Sequence, residues 1–220
     1  MKEKSMRKMT HSEWDKLSKV HRLNLINSCT GYKSANLIGT KSETGVANVA
    51  VFSSVTHLGS NPALLGFILR PNVVARNTYE NLKATGYFTV NHIHQNIIAQ
   101  AHQTSASYNA AESEFEMVKL TEEYLSEIDV PFVGESPVKL LCQYLNEYEI
   151  KENNTIHIIA SVVEIYFRDD ILHEDYWLQL DQADIVAVNG LDGYCLPKIV
   201  DRFDYARPHT KTKSILKNGT

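Results

Sequence analysis

Residues 45–91 read GVANVAVFSSVTHLGSNPALLGFILRPNVVARNTYENLKATGYFTVN. Three apolar runs of strand length are interleaved here with small polar residues, two arginines and a short helical segment. The first run, Val46 to Phe52, pairs in pattern with Ser34 to Thr40 across the turn Lys41-Ser42-Glu43-Thr44-Gly45, so the two are expected to form a β-hairpin. A buried strand over Leu64 to Leu69 follows the turn Gly59-Ser60-Asn61-Pro62. Asn77-Thr78-Tyr79-Glu80 reads as an N-cap with glutamate at N3, and Gly86 stands where a left-handed residue would end that helix after Ala84. Tyr87 to His94 alternates as a further strand. Such a stretch reads as a barrel edge able to hold a planar, anionic ligand.

Working outward, Ile97 to His102 reads as helical and Thr104 to Glu114 as a polar surface loop. Val138 to Ile150 and Thr155 to Phe167 form a long hairpin around Lys151-Glu152-Asn153-Asn154, whose asparagines tolerate left-handed backbone. Asp181 to Val188 is expected to be helical, and Asp192-Gly193-Tyr194 begins a C-terminal stretch. Ser12, three residues before Asp15, suggests a short opening helix within an N-terminal arm over residues 1–22, and residues 211–220 read as a tail. Many short strands, few helices and no βαβ rhythm point to a closed or nearly closed antiparallel barrel with peripheral helices, in one domain spanning 1–220.

Composition narrows the function classes. With 22 Lys+Arg against 26 Asp+Glu the chain carries a net charge of -4 and no long basic tract, which disfavours nucleic acid. No apolar run is long enough to cross a bilayer, and the basic Lys2 to Lys8 lacks the apolar segment of a signal peptide. Cys29, Cys142 and Cys195 are too few and too scattered for a disulfide framework, which points to the reducing cytoplasm. Neither a GxGxxG nor a P-loop pattern occurs, and no nucleophile with its base can be assembled, so no catalytic residue is assigned. Any chemistry is expected from a cofactor.

The polar side chains of the opening stretch each carry two readings. Asn48 shares a strand face with Ala50 and Phe52, while Val49, Val51 and Ser53 share the other. Its amide either borders a flat heterocycle or satisfies a neighbouring strand, and Ser53 and Ser54 stand in the same position. Arg76 directly precedes the helix whose free amides favour an anion, so Arg76 and the Thr78 hydroxyl are candidates for a phosphate; a surface carboxylate such as Glu80 is the competing partner for Arg76. Arg70, beside Pro71, is a weaker candidate. His92 and His94 are two apart in a strand, but no further ligand is signalled, so no metal is expected. His157 is a polar residue inside an apolar strand and reads either as a ligand contact or as a satisfied barrel histidine.

These residues resemble the flavin reductase-like proteins with an FMN-binding split barrel, including the flavoredoxins. The resemblance runs through Leu37-Ile38-Gly39-Thr40, Gly45 to Ser54, Asn61 to Gly66, Arg76 to Asn81, Thr85 to Asn91, Ser113-Glu114-Phe115, Glu135-Ser136-Pro137 to Cys142 and His157 to Val163, in that order, covering Ser34 to Phe167. It implies a Greek-key split barrel that forms a homodimer with FMN near the interface. Asn48, Val49 and Ala50 would then border the isoalloxazine, Ser53 and Ser54 would touch the flavin or its phosphate, and Arg76 with Thr78 would hold the phosphate. His157 matches a histidine that some flavin reductases place near the flavin or nicotinamide. Val51 and Ser161 depart from the proline and glycine usual at those places in the family. The implied activity is hydride transfer from NADH or NADPH to FMN, which then reduces free flavin, a partner oxygenase or a small acceptor. An FMN protein that only carries electrons, or a split barrel without flavin, are the alternatives.

Overall fold

A computed structural model of the chain describes residues 6–70, 77–109 and 111–216. Two helices come first, α1 (His11–Trp14) and α2 (Lys19–Cys29), followed by strands β1 (Tyr32–Ser34), β2 (Asn36–Lys41), β3 (Ala47–Phe52), β4 (Thr56–Ser60) and β5 (Ala63–Leu69). Helix α3 (Asn77–Thr85), strand β6 (Tyr87–His92) and helices α4 (Ile98–Gln103) and α5 (Glu114–Val118) come next. The short β7 (Glu122–Glu123) and β8 (Phe132–Val133) precede the long β9 (Val138–Ile150) and β10 (Thr155–Phe167), and β11 (Ala187–Asn189) and β12 (Gly193–Cys195) close the series.

Seven strands form one antiparallel sheet in the order β3-β2-β6-β9-β10-β5-β4. Its two edge strands, β3 and β4, are joined directly through residues 53–55. A link that short spans at most about 14 Å, so the two edges of the sheet must come together and the sheet must curl into a barrel. Ser54 stitches this seam: its hydroxyl accepts from Ile68 N at 3.0 Å and donates to Ile68 O at 3.3 Å. Ser34 Oγ adds a bond to Val55 O at 2.8 Å. The chain is therefore a mainly β split barrel with short peripheral helices.

Strand alternation divides the apolar residues between two cores. Ile38, Phe67, Phe88, Val90, Cys142, Ile158 and Ala160 fill the barrel, where Phe52, Phe67 and Phe88 meet edge to face with centroids 5.2 and 5.4 Å apart. On the outer face, Leu37 and Val49 pack with Ile93, Ala101, Phe115 and Val118 beneath α4 and α5. Leu37 and Ile38 are both fully buried, so β2 is covered on both sides. Burying each of these large side chains contributes roughly 2–3 kcal/mol. The β9–β10 hairpin runs as its alternation predicts, and Asn154 takes the left-handed position of its turn at φ 56°. Gly86, at φ 76°, ends α3 by donating to Leu82 O at 2.9 Å.

Several local expectations are corrected. Asp181 to Val188 forms no helix: Asp184 at φ 51° breaks right-handed winding, and Ala187–Asn189 pairs as β11 between β1 and β12, with Val188 buried in the outer core. The opening helix is capped by Thr10 rather than Ser12, because Thr10 and Glu13 bond reciprocally, with Thr10 N donating to Glu13 Oε2 at 2.6 Å. The N-terminal arm continues past residue 22 as α2, which buries no residue and leaves Val20, Leu23 and Ile26 exposed. Asn77 is a helical residue rather than a cap, and α3 runs through Thr85. Residues 211–216 return along the chain, with Ile215 N donating to Arg202 O at 2.7 Å and Asp204 N to Lys213 O at 3.0 Å. The polar loop from Thr104 ends at a buried residue, Glu114. Strand β4 carried no signal of its own in the sequence.

Candidate functional site

Alternation turns the Asn48 side chain toward the barrel interior, and helix α3 packs across β2 and β3 just there. Four elements thereby bring polar side chains into one buried cluster: Thr40 of β2, Asn48 of β3, Thr78 and Asn81 of α3, and Glu114 at the start of α5. One end of the Asn48 amide lies 3.2 Å from Thr78 Oγ1 and 3.3 Å from Thr40 Oγ1. The other end faces both Glu114 carboxyl oxygens at 3.1 Å. Asn81 Nδ2 donates to Thr40 Oγ1 at 3.1 Å, and Val49 N donates to Glu114 Oε2 at 3.3 Å. The two ends of the opening stretch, the Asn48 strand and the Thr78 helix, thus meet directly.

Glu114 is only 6% exposed, and burial pushes its carboxyl pKa above the usual carboxylate range; its own backbone N–H and that of Val49 work in the opposite direction. No charged partner is bonded to it among the described residues. Val49 itself points into the outer core and is fully buried, so only its backbone and that of its neighbours can border a ligand. Because β3 is an edge strand, its alternate backbone groups face away from β2. Val49 N spends its hydrogen on Glu114, and Val51 shares the same outward alternation. Ala50 faces the barrel opposite Ile38 and is half-buried.

Two further candidates lie along the seam and β5. Ser54 holds the Ile68 backbone, and Ile68 is the cross-strand neighbour of His157. The His157 ring lies over Gly66, where an added Cβ would come within 2.5 Å of Nε2 and 2.9 Å of Ile158 O. Only glycine leaves room for the ring in that position. Ser53 is half-buried beside the seam, and Arg70 is exposed at the end of β5. Arg76 lies outside the described residues. Asn48 and Thr78 are therefore brought together in one cluster, while Ser54 and His157 each neighbour Ile68 at the seam.

Helix α3 is anchored from both of its turns to β9. Tyr79 OH donates to Glu147 Oε1 at 2.9 Å, Tyr144 OH donates to Glu147 Oε2 at 3.0 Å, and Lys83 Nζ donates to Tyr144 OH at 2.8 Å. Sequence reasoning did not single out Thr40, Asn81 or Glu114. For Glu114 a signal existed: Phe115 and Val118 one turn apart mark a short buried helix whose first residue must lie near the core. His92 and His94 occupy different surroundings, the latter with Nδ1 accepting from Asn96 N at 3.1 Å. Among the described residues no group of three or more His, Cys, Asp or Glu is placed to hold a metal ion.

Residues 32–183 match the model of the flavin reductase like domain. The chain belongs to the flavin reductase like family. A candidate flavin reductase with a split barrel domain from Shewanella frigidimarina is 41% identical, with 91% of this chain and all of that chain covered and a TM-score of 0.88. Nitrilotriacetate monooxygenase component B from Bacillus cereus superposes with a TM-score of 0.77 at 19% identity, covering 92% of this chain and all of that one. Flavoredoxin of Desulfovibrio vulgaris gives 0.67 at 18% identity, with 81% and 92% covered. The last two likenesses concern the fold alone. Within this flavin reductase like domain, no described helix is long and apolar enough to cross a membrane.

Proposed function

We propose that this protein is an FMN-binding flavoprotein that oxidises NADH or NADPH and hands the electrons to free flavin, a partner oxygenase or a small acceptor. The observation that carries this reading is the meeting of Asn48 and Thr78 at 3.2 Å, which makes one place of an edge strand and a helix start. A flat ring with a phosphate tail needs both: a strand edge for the ring's polar rim and a helix N-terminus for the anion.

The residues fit that ligand. The backbone of Val51 shares the outward alternation of Val49, Ala50 beside it carries only a methyl group, and the apolar β3 brings no charge to repel an anion. Asn48 acts through the strand and helix it ties together, since its amide is taken up by Thr40, Thr78 and Glu114. Ser54 shapes the site by closing the seam, and Thr78 and Arg76 are assigned to the phosphate. His157 is assigned to the edge of the ring or of the nicotinamide. FMN, when bound, supplies the hydride-accepting N5 and the capacity to release electrons one or two at a time. The protein's share is to position two rings and to exclude water.

A homodimer with the flavin near its interface is part of this proposal. Val163, Ile165 and Phe167 alternate as exposed residues along the end of β10, an apolar strip that a second copy would cover. The cytoplasm is the proposed compartment, in keeping with three free cysteines. The test is the visible spectrum of the purified protein before and after addition of NADH or NADPH. Flavin bands that bleach with either nucleotide are expected. A yellow protein reduced by dithionite but not by nicotinamide would make it an electron carrier, and a colourless protein that does not take up FMN would end the flavin reading.

A further inference from the structure

The Asn48 amide has one donor end and one acceptor end, and the groups on its two sides cannot both be satisfied without a choice of proton position. On one side are the two Glu114 oxygens at 3.1 Å; on the other are the Thr78 and Thr40 hydroxyls at 3.2 and 3.3 Å. If Glu114 is ionised, the NH2 end must face it, and the amide oxygen then accepts from the threonines. The Thr78 hydrogen is spent inward. If Glu114 carries a proton, its O–H donates to the amide oxygen, the NH2 end turns to the threonine oxygens, and the Thr78 hydrogen is released to another acceptor. The proton taken up binds the Glu114 carboxyl and is not passed onward; with it, the hydrogen-bond directions along Glu114, Asn48 and Thr78 reverse.

We propose that Glu114 is a positioning residue that couples uptake of one proton to binding of a phosphate-bearing ligand at the start of α3, through the orientation of the Asn48 amide and the Thr78 hydroxyl. This rests on the FMN reading above for the identity of the ligand. An anion at the first turn of a helix needs hydrogen-bond donors, and the protonated arrangement adds Thr78 to them. The ionised arrangement withdraws that donor and places a second negative charge behind it. Both effects favour binding by the protonated form. Burial, which holds the Glu114 carboxyl above the usual range, brings its titration toward working pH.

Other ionisable groups around the cluster have their own partners or lie to one side. Strand β3 carries none. On α4, His102 stands edge-on to Tyr194 with their polar atoms 3.3 Å apart. On α3, Lys83 pairs with Glu147 and Glu80 is exposed; on β2, Lys41 pairs with Asp129. Beside Glu114 itself, Glu112 is held by Asn109, and Glu116 and Lys119 are exposed. No ion pair reaches the Glu114 carboxyl among the described residues.

The experiment is titration of the full-length protein with FMN by calorimetry in two buffers of different ionisation heat, across about pH 5 to 9, with riboflavin as the phosphate-free probe. Wild type is expected to take up close to one more proton on binding FMN than Glu114→Gln does, and its affinity to fall by up to about tenfold per pH unit above the Glu114 titration. FMN's own phosphate proton is common to both proteins and drops out of the difference. Riboflavin should show no such difference. Thr78→Val, which keeps Glu114 and its charge, should lose the part of the linkage carried by the hydroxyl and show a smaller proton uptake than wild type; a wild-type uptake in that variant would overturn the role given to Thr78. Equal proton uptake and equal pH slopes in wild type and Glu114→Gln would overturn the inference while leaving FMN binding in place. A folded wild type that binds no FMN at any pH would overturn the flavin reading, and this inference with it.

Discussion

The barrel treats its polar residues differently at two places four residues apart along β2, about 13 Å by strand rise. At Thr40 the row Asn48–Thr40 is joined by Thr78, Asn81 and Glu114, and every member has a partner. At Asn36 the row Phe52–Asn36–His92 encloses an amide that is 1% exposed, yet neither its oxygen nor its nitrogen is hydrogen-bonded. The adjoining row, Ala50–Ile38–Val90–Leu140–Ile165, runs from half-buried Ala50 through fully buried Ile38 and Val90 out to Ile165 at 54% exposure. One place is complete within the chain. The other combines orphaned polar atoms with uncovered apolar surface, the combination expected where something outside the chain completes the structure.

If the first place is complete, removing a member should be costly. Asn48→Ala leaves the Glu114 carboxyl buried with two backbone N–H groups, its own and that of Val49, and a loss of about 3 kcal/mol in unfolding free energy is expected by denaturant titration. A loss below about 1 kcal/mol would mean that water replaces the amide and that the cluster is less closed than its burial indicates. If the second place is completed by another copy, Ile165→Glu should weaken that association by roughly 2 kcal/mol or more, a dissociation constant raised at least about thirtyfold. Sedimentation across a dilution series reads this directly. An Ile165→Glu protein with the same oligomeric state as wild type would move the interface elsewhere.

The two places also differ in how far the sequence disclosed them. Alternation in Val46 to Phe52 and in the long hairpin placed β3, β9 and β10, and the Asn48 and Thr78 readings followed from residue type and position. Glu114 escaped because its importance comes from a contact 65 residues away in the chain, with Val49 N, and local polarity alone made it look like loop surface. The Asp181 to Val188 stretch misled for the converse reason: its apolar spacing suits a helix, but β1 offered a strand partner and Val188 a buried position. The orphaned Asn36 amide has no sequence signature at all, because a buried asparagine and a bonded one look alike until their neighbours are known.

Acidification probes the second place selectively. The His92 imidazole, cross-strand neighbour of Asn36, is pushed down to about 4 by burial from an ordinary value of 6.5. Between those values the unfolded chain binds a proton that the folded barrel refuses, so stability falls as pH is lowered from 6.5 toward about 4 and is flat above. The expected loss is on the order of 2 kcal/mol. In His92→Gln that part of the acid sensitivity should vanish, as read from thermal midpoints at pH 7 and pH 4.5. If wild type and variant lose stability in parallel, the acid response belongs to the carboxylates elsewhere.

The smallest effect is the most discriminating. An amide that has no partner contributes only its desolvation cost, so Asn36→Leu, similar in size, should leave the stability of a dilute sample unchanged or raise it by about 1 kcal/mol. Nothing comparable can be expected of Asn48, whose amide is bonded at both ends. The same substitution at high protein concentration separates two explanations of the orphan. If a second copy supplies the missing bonds, Asn36→Leu should lower the concentration dependence of the thermal midpoint, because the association then gains less. If the amide is orphaned in every state, the variant's advantage should be independent of concentration, and the uncovered Ile165 and Phe167 face would remain the whole reason for association.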